Sequence, residues 1–574
     1  METIDLNLAT ADRQAFGKSY ARTKNTDELA GAVLSGELHL PPHPVWRGDL
    51  LDWAADPFTD RNWQFQHHTL RWLNPLRWKA LDGDERARQE WLRVVRSWAV
   101  HNAPANRASS KFAWKDMADG NRAIQLSLGS RLVGQEDLPW FLELLAYHRD
   151  WLMDEAHIVG KNHGLHQHAG LLVVSAVLGA LDGMNVARAR MVDQFKSTFD
   201  SQGGNDEGST SYHQLNLRWW SQSWQRVSLE GLEVPEDVKE RICAAGTVLA
   251  HMAQPDGRLP QIGDSARGVV DVGLNPVADF AATRGRLGTK PAKTVHVLDG
   301  GYVFSRSGWG ETRPVEQESH LLIRHGQDVR AHSHEDRGSV HIYANGRPWL
   351  VDSGFHSYQK NDPTRTYLHS REAHNVATVV GEIHDDSAAV ELTRQTVEKD
   401  YHDFELADRG YKNTALSRRV IYLTSPDCWI VWDQAETDAP VVMRQHWHVD
   451  IDVTVARHDR GFELRDGKRS LNMIWLGAMP RLARYRAVDG DHRAWVGTRW
   501  KTQKPGTLIT AESPARASTV VTLIAPSAPQ ELGVVRSYLT STGVLDAVLM
   551  RGPRVWRVRI DEDTVNVNEQ KRNW

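Results

Sequence analysis

From about residue 60 to residue 251 the apolar positions recur at spacings of three and four, as in RNWQFQHHTLRWLNPLRW, ERARQEWLRVVRSWAV and LPWFLELLAYHRDWLMDEAHIV. That period predicts helices with one buried face. GLHQHAGLLVVSAVLGAL is apolar nearly all round and predicts a helix buried between neighbours. Pro235 and Glu236 open a further helix through Val238 and Arg241, which stops before the turn Gln254-Pro255-Asp256-Gly257. Helices joined by short connections suggest a bundle, solenoid or toroid of helical hairpins.

Past about Val295 the period changes to two. HLLIRHG, GSVHIYANGRPWLVDSG, NVATVVG, RRVIYLT, CWIVWDQ and MRQHWHVDIDVTVARH are short runs, β-branched and aromatic, separated by turns. Asn345-Gly346 predicts a two-residue hairpin, because both residues tolerate positive φ. VVTLIAP and VWRVRID carry the pattern to the end. The second half is therefore expected to be an antiparallel β-sandwich. The Gly/Lys/Pro-rich TRGRLGTKPAK at 283–293 marks the change, giving a helical domain over 1–290 and a β-domain over 291–574.

At 574 residues the chain is too long for one simple core. A net charge of -4 gives no reason to expect nucleic acid as a partner. Only two cysteines, Cys243 and Cys428, argue against a disulfide framework and against a thiolate zinc site. The opening METIDLNLATADRQAF lacks the apolar core of a leader, and no long apolar run predicts a membrane span. A cytoplasmic setting is expected, with a periplasmic one left open, and a homodimer is compatible. The 23 Trp are assigned mainly to packing, with sugar stacking as the second use.

Many of the 27 His are clustered. In RAHSHEDRGSVHIYANGRPWLVDSG, His332, His334 and Asp336 alternate, so an extended segment would point them to one face. Asp352 follows the hairpin, and His374 begins the next strand. Two imidazoles and a carboxylate from adjacent strands would suit zinc with one open position. The plainer reading is a set of loop histidines that bind nothing. In KNHGLHQ, Asn162 and His163 stand where a helix starts, Asn162 as a candidate N-cap. In DEGSTSYH, Glu207, Ser209 and Thr210 look like helix-start residues, with Tyr212 and His213 in the first turn.

Taken together, KNHGLHQ, DEGSTSYH, LPQIGDS, GYVFSRSGW, AHSHEDRGSVHIYANGRPWLVDSGFHSY and RTYLHSREAHN resemble the heparinase II/III group of polysaccharide lyases, in family order over roughly 160–380. WAADPFTDRNW and SKFAWKDMADGNRA resemble, more loosely, relatives found beside bacterial exopolysaccharide genes. The resemblance implies an incomplete (α/α) toroid followed by antiparallel β-sheets, with the active cleft between them. It implies catalytic roles for Asn162, His163, Tyr212 and His332. His334, Asp352 and His374 would hold a structural zinc. A substrate-gripping tyrosine best matches Tyr367, with Tyr358 as the rival. Arg330, Arg337, Arg365 and Arg371 surround the β-side site and could pair with carboxylate or sulfate, or simply solvate a loop.

The implied reaction is β-elimination on a uronate of an acidic polysaccharide, with heparan-type, hyaluronan-like, alginate and capsular polymers all open. Removing the C5 proton requires neutralising the adjacent carboxylate, a task for Asn162, with His163 or His332. Tyr212 could serve as acid, base or both. The base role would need nearby positive charge to lower a phenol pKa of about 10. His163 is the alternative base. Two rivals stand beside the lyase. One is a glycoside hydrolase using carboxylates such as Asp206, Glu207 and Asp264. The other is a non-catalytic glycan-binding protein of exopolysaccharide assembly.

Overall fold

The computed structural model describes residues 6–13, 16–327, 331–359, 361–527 and 531–571. It has two compact units. One comprises Met1–Phe199 and Asn216–Ile242; the other comprises Asp200–Leu215 and Cys243–Trp574.

The first unit is helical. Its longer helices include Glu85–Asn102, Leu138–Met153, Lys161–Val177 and Leu181–Thr198. Lys161–Val177, apolar on nearly every side, is buried along almost its whole length as expected. The helical periodicity of RNWQFQHHTLRWLNPLRW is divided between two helices. It runs Arg61–His68, then a short turn, then Asn74–Leu81, because Leu70 takes φ 56 and Pro75 sits in the first turn of the second piece. Among the described residues no helix is long and apolar enough to cross a membrane.

The second unit is built on antiparallel β-structure. Two long strands, Cys428–Val449 and Thr507–Pro526, pair along their length. The sequence reads the first of these as two short strands, CWIVWDQ and MRQHWHV. They are one 22-residue strand whose register shifts between Glu436 and Val441. Pro440 lies in that gap, where a residue without an N–H costs no ladder bond. Val449 pairs with Leu350, joining the hairpin Val340–Ala344 and Arg347–Leu350 to the long strands. Asn345 and Gly346 turn that hairpin with φ of 51 and 80, as predicted. A second sheet, Gly533–Leu539 through Val565–Lys571, completes the sandwich. Its Leu549, Trp556 and Val558 share a core with Ile430, Leu523 and Trp432 of the large sheet.

Tryptophan serves the interior. Trp63, Trp91, Trp98, Trp220, Trp349, Trp429, Trp447, Trp475 and Trp556 are fully buried.

Candidate active site

Tyr212 lies in the first turn of the helix Thr210–Leu229, as expected. That turn is tied to the segment 260–265. The Ser265 hydroxyl accepts from the Ser211 backbone N–H at 3.0 Å and contacts the Ser209 hydroxyl at 2.8 Å. The same two segments hold the histidine loop, since His332 N–H donates to Glu207 O (3.2 Å) and Asp264 N–H donates to His332 O (2.9 Å). Gly263 makes this approach possible. Its φ is +60, and a Cβ there would stand 2.4 Å from His332 O and 2.5 Å from Gly208 O.

On this frame the His332 ring stacks on the Tyr212 ring, with centroids 3.6 Å apart and planes 10° from parallel. His332 Nδ1 is 3.0 Å from Asp264 Oδ2, and its Nε2 is 3.4 Å from Glu207 Oε2. Asp264 is the hub. Its other oxygen bonds His334 Nε2 at 3.2 Å and lies 3.4 Å from His369 Nε2. Burial works against the charge of Asp264, but three histidines hold its carboxyl far below the usual carboxylate range. Asp264 and His369 were not among the site residues expected for this fold. The LPQIGDS and LHS motifs contain them, but nothing in either string signals a shared carboxylate.

The Tyr212 hydroxyl is 2.9 Å from that of Tyr358. Burial, with the charges of Asp264 and Glu207, raises the Tyr212 pKa despite that hydrogen bond. Tyr358 is raised further, by burial and then by Tyr212 itself. Either hydroxyl can donate in this pair, and both phenols are held in the neutral form. The positive charge a Tyr212 phenolate would need is replaced by carboxylates.

Tyr358, rather than Tyr367, reaches this cluster. Tyr367 is half-buried and its hydroxyl donates to Glu372 O in its own loop at 3.4 Å. Arg371 is buried with its guanidinium 2.7 Å from Asp408, so its charge is spent inside the unit rather than on a ligand. Arg365 is half-buried within electrostatic reach of His369. Arg330 lies outside the described residues.

The expected alternation of His332, His334 and Asp336 on one face does not occur, because the segment is a turn rather than a strand. His332 and His334 converge on Asp264, while Asp336 is buried against Arg324 at 3.2 Å. His374 does not begin a strand. It follows the short helical turn Arg371–Ala373, and the strand is Ala377–Val379. Its Nδ1 is 2.8 Å from Asp352 Oδ2.

One ligand atom from each of His334, Asp352 and His374 lies within 4.8 Å of the others, all three residues being buried. His334 Nδ1 and His374 Nε2 are buried without hydrogen-bond partners. His334 Nε2 is held by Asp264, outside the trio, while His374 Nδ1 lies on Asp352, itself one of the three candidate ligands. That donor set fits zinc, and carboxylate-oriented imidazoles are how zinc ligands are commonly fixed.

In the helical unit, Gly160 rather than Asn162 is the N-cap of Lys161–Val177, and no side chain caps it. The Asn162 amide is therefore not consumed by capping. His163 Nδ1 is 2.6 Å from Asp116 Oδ1, with the His163 side chain about half exposed (46%). Although burial opposes it, His163 keeps Asp116 below the usual carboxylate range.

A helical unit and a unit of antiparallel β-structure, the latter including the helix start that brings Tyr212 to His332 and Asp264, define the structural class. Family models described as Heparinase II/III N-terminus and Heparinase II/III-like, C-terminal match residues 18–283 and 289–515. The chain belongs to the heparinase II/III family. It is 22% identical over 429 residues to a heparin-sulfate lyase of Bacteroides thetaiotaomicron, and 21% over 438 residues to one of Bacteroides stercoris. Each alignment covers 67% of this chain, but less than two thirds of the relative (61% and 64%). Its fold is similar to that of the heparan sulfate lyase HepC from Pedobacter heparinus (TM-score 0.75, 17% identity, 97% of this chain and 92% of that one). A heparinase III structure matches at TM-score 0.76 and 15% identity, over 100% of this chain and 94% of the other.

Proposed function

We propose that this protein is a polysaccharide lyase that cleaves a uronate-containing glycosaminoglycan by β-elimination, with Tyr212 as the proton donor to the leaving oxygen. The observation that carries the reading is Tyr212 itself, a phenol kept neutral by burial and two carboxylates, stacked on His332 and backed by the Tyr358 hydroxyl. A neutral phenol can protonate the C4 oxygen as the C4–O bond breaks. The names of the relatives, heparin-sulfate and heparan sulfate lyases, support a glycosaminoglycan substrate.

On the match to the family's NHG motif, His163 would serve as a base. Asp116 fixes the imidazole through Nδ1. Asn162, from the same motif, would offer an uncharged amide donor suited to a carboxylate. A carboxylate reaching His332 Nε2 would compete there with Glu207. His334, Asp352 and His374 would hold zinc in a structural role, tying the 331–338 loop to the hairpin.

The hydrolase alternative needs one carboxylic acid that stays protonated. Asp264 is the reverse, buried, saturated by histidines and held ionised. The test is incubation with heparan sulfate and a panel of other uronate polymers while following ultraviolet absorbance. A lyase leaves a conjugated unsaturated uronate and the signal grows. Chain shortening without absorbance would mean hydrolysis and end this reading.

A further inference from the structure

The hairpin Trp495–Arg499 and Thr502–Pro505 forms a two-stranded sheet apart from the main sheets. It is fastened at its base to the segment that carries Tyr358. Gly497 N–H donates to Ser353 O at 2.8 Å, Gly354 and Gly497 form a bridge, and Lys501 N–H donates to His356 O at 2.8 Å. The approach is close enough that a Cβ on Gly497 would stand 2.3 Å from Phe355 O. The hairpin tip, Arg499-Trp500-Lys501, is therefore held in a fixed place, with Lys501 at φ 50 making the turn.

That fixed place is beside the Tyr212 cluster. The Trp500 ring lies 5.2 Å from Tyr358 and 5.8 Å from Phe355, and Tyr358 is bonded to Tyr212. Most large aromatics of this chain are buried; Trp500 is half-buried, and Tyr358 is 42% exposed. Arg499 and Lys501 flank Trp500, and both are exposed. A partly open aromatic face with two exposed cations adjacent in the chain is chemically matched to a sugar ring bearing carboxylate or sulfate. The ring's C–H face packs on the indole while its anions meet the cations. Arginine also packs on buried tryptophans of this chain, as Arg122 does on Trp98 and Arg306 on Trp309, but Trp500 keeps part of its ring open to solvent beside Tyr358.

We propose that Trp500, with Arg499 and Lys501, forms a substrate subsite that stacks an anionic sugar residue next to the one held at Tyr212. This rests on the lyase reading and adds to it a positioning element outside the family's resembling motifs. It predicts that the subsite contributes to binding and not to the bond-breaking step.

The experiment uses heparan sulfate polymer and a heparan sulfate octasaccharide as probes with the full chain. Trp500→Ala is expected to raise KM about threefold to tenfold while kcat stays within about twofold, and Trp500→Phe to restore most of the loss. Arg499→Gln with Lys501→Gln should raise KM and flatten its dependence on salt. Direct titration of the octasaccharide into Tyr212→Phe, with and without Trp500→Ala, reads binding without turnover. An unchanged KM and unchanged affinity in Trp500→Ala, with wild-type cleavage intact, would overturn the subsite alone. Absence of both cleavage and binding in the wild type would overturn the lyase reading and the subsite with it. A loss of kcat equal to the loss of kcat/KM, not rescued by Phe, would also overturn it, because the residue would then be supporting the reacting groups.

Discussion

The imidazole of His332 lies flat against the phenol of Tyr212, 3.6 Å between centroids, with its Nδ1 anchored 3.0 Å from Asp264. Two residues 120 positions apart in the chain are thus brought face to face. The carboxylate that anchors them also sets the charge around the phenol. Stacking fixes the ring plane of Tyr212, and the Tyr358 hydroxyl fixes its oxygen.

Tyr212→Phe keeps the stack and removes only the hydroxyl. Turnover is expected to fall on the order of 10²- to 10⁴-fold, the range for loss of a general acid. Folding stability should change by no more than about 1 kcal/mol, since one partly exposed hydrogen bond is lost. Steady-state kinetics with a denaturation curve check both. A rate near wild type would remove Tyr212 from the chemistry.

Asp264→Asn preserves shape but leaves His332, His334 and His369 facing an amide instead of a charge. Breaking a buried ionic hub of this kind costs roughly 3–5 kcal/mol. Both turnover and stability should therefore fall, in contrast with Tyr212→Phe. Gly263→Ala is expected to imitate this effect, because its Cβ would displace the His332 carbonyl. Thermal unfolding of the two variants beside wild type gives the comparison; unaltered melting in both would show that the hub carries no structural load.

Metal removal should act on stability before activity. With zinc bound by His334, Asp352 and His374, a chelator is expected to lower the melting temperature first, activity declining only as the loop loosens. His374→Ala should abolish metal content measured by elemental analysis. Instant loss of activity with melting unchanged would make the metal catalytic, contrary to the role assigned here.

Acid should destabilise the helical unit through its buried imidazoles. Burial depresses His67 and His168 from 6.5 to about 4. Below pH 6.5 the unfolded chain takes up protons that the folded one refuses, so stability falls as pH falls and levels off below about 4. At pH 5 the loss is about 2 kcal/mol for each such ring, at 1.36 kcal/mol per pH unit. Urea unfolding at pH 7 and pH 5 measures it, and His67→Gln should flatten the slope. An identical slope in that variant would assign the acid sensitivity elsewhere.

Much of this protein was written in local pattern. The change of period near residue 295, the Asn345-Gly346 turn and the helix opening before Tyr212 all depend on neighbours in sequence, and each stands where the pattern puts it. The motifs also carried Tyr212, His332, His334, Asp352 and His374. What they could not carry was partnership. Alternation suggested that Asp336 joins His332 and His334, yet Arg324 takes it, and Asp264 arrives from a segment about seventy residues earlier. Asn162 looked like a cap until the backbone placed Gly160 there. Arg371 looked like a ligand arginine until burial gave it Asp408. Tyr358 displaced Tyr367 because one hydroxyl faces Tyr212 and the other faces its own loop. Periodicity is a property of short stretches and survives in the one-dimensional string. Which charge meets which partner, and which proton is held or released, is decided by burial and distance, and these exist only after the chain has closed on itself.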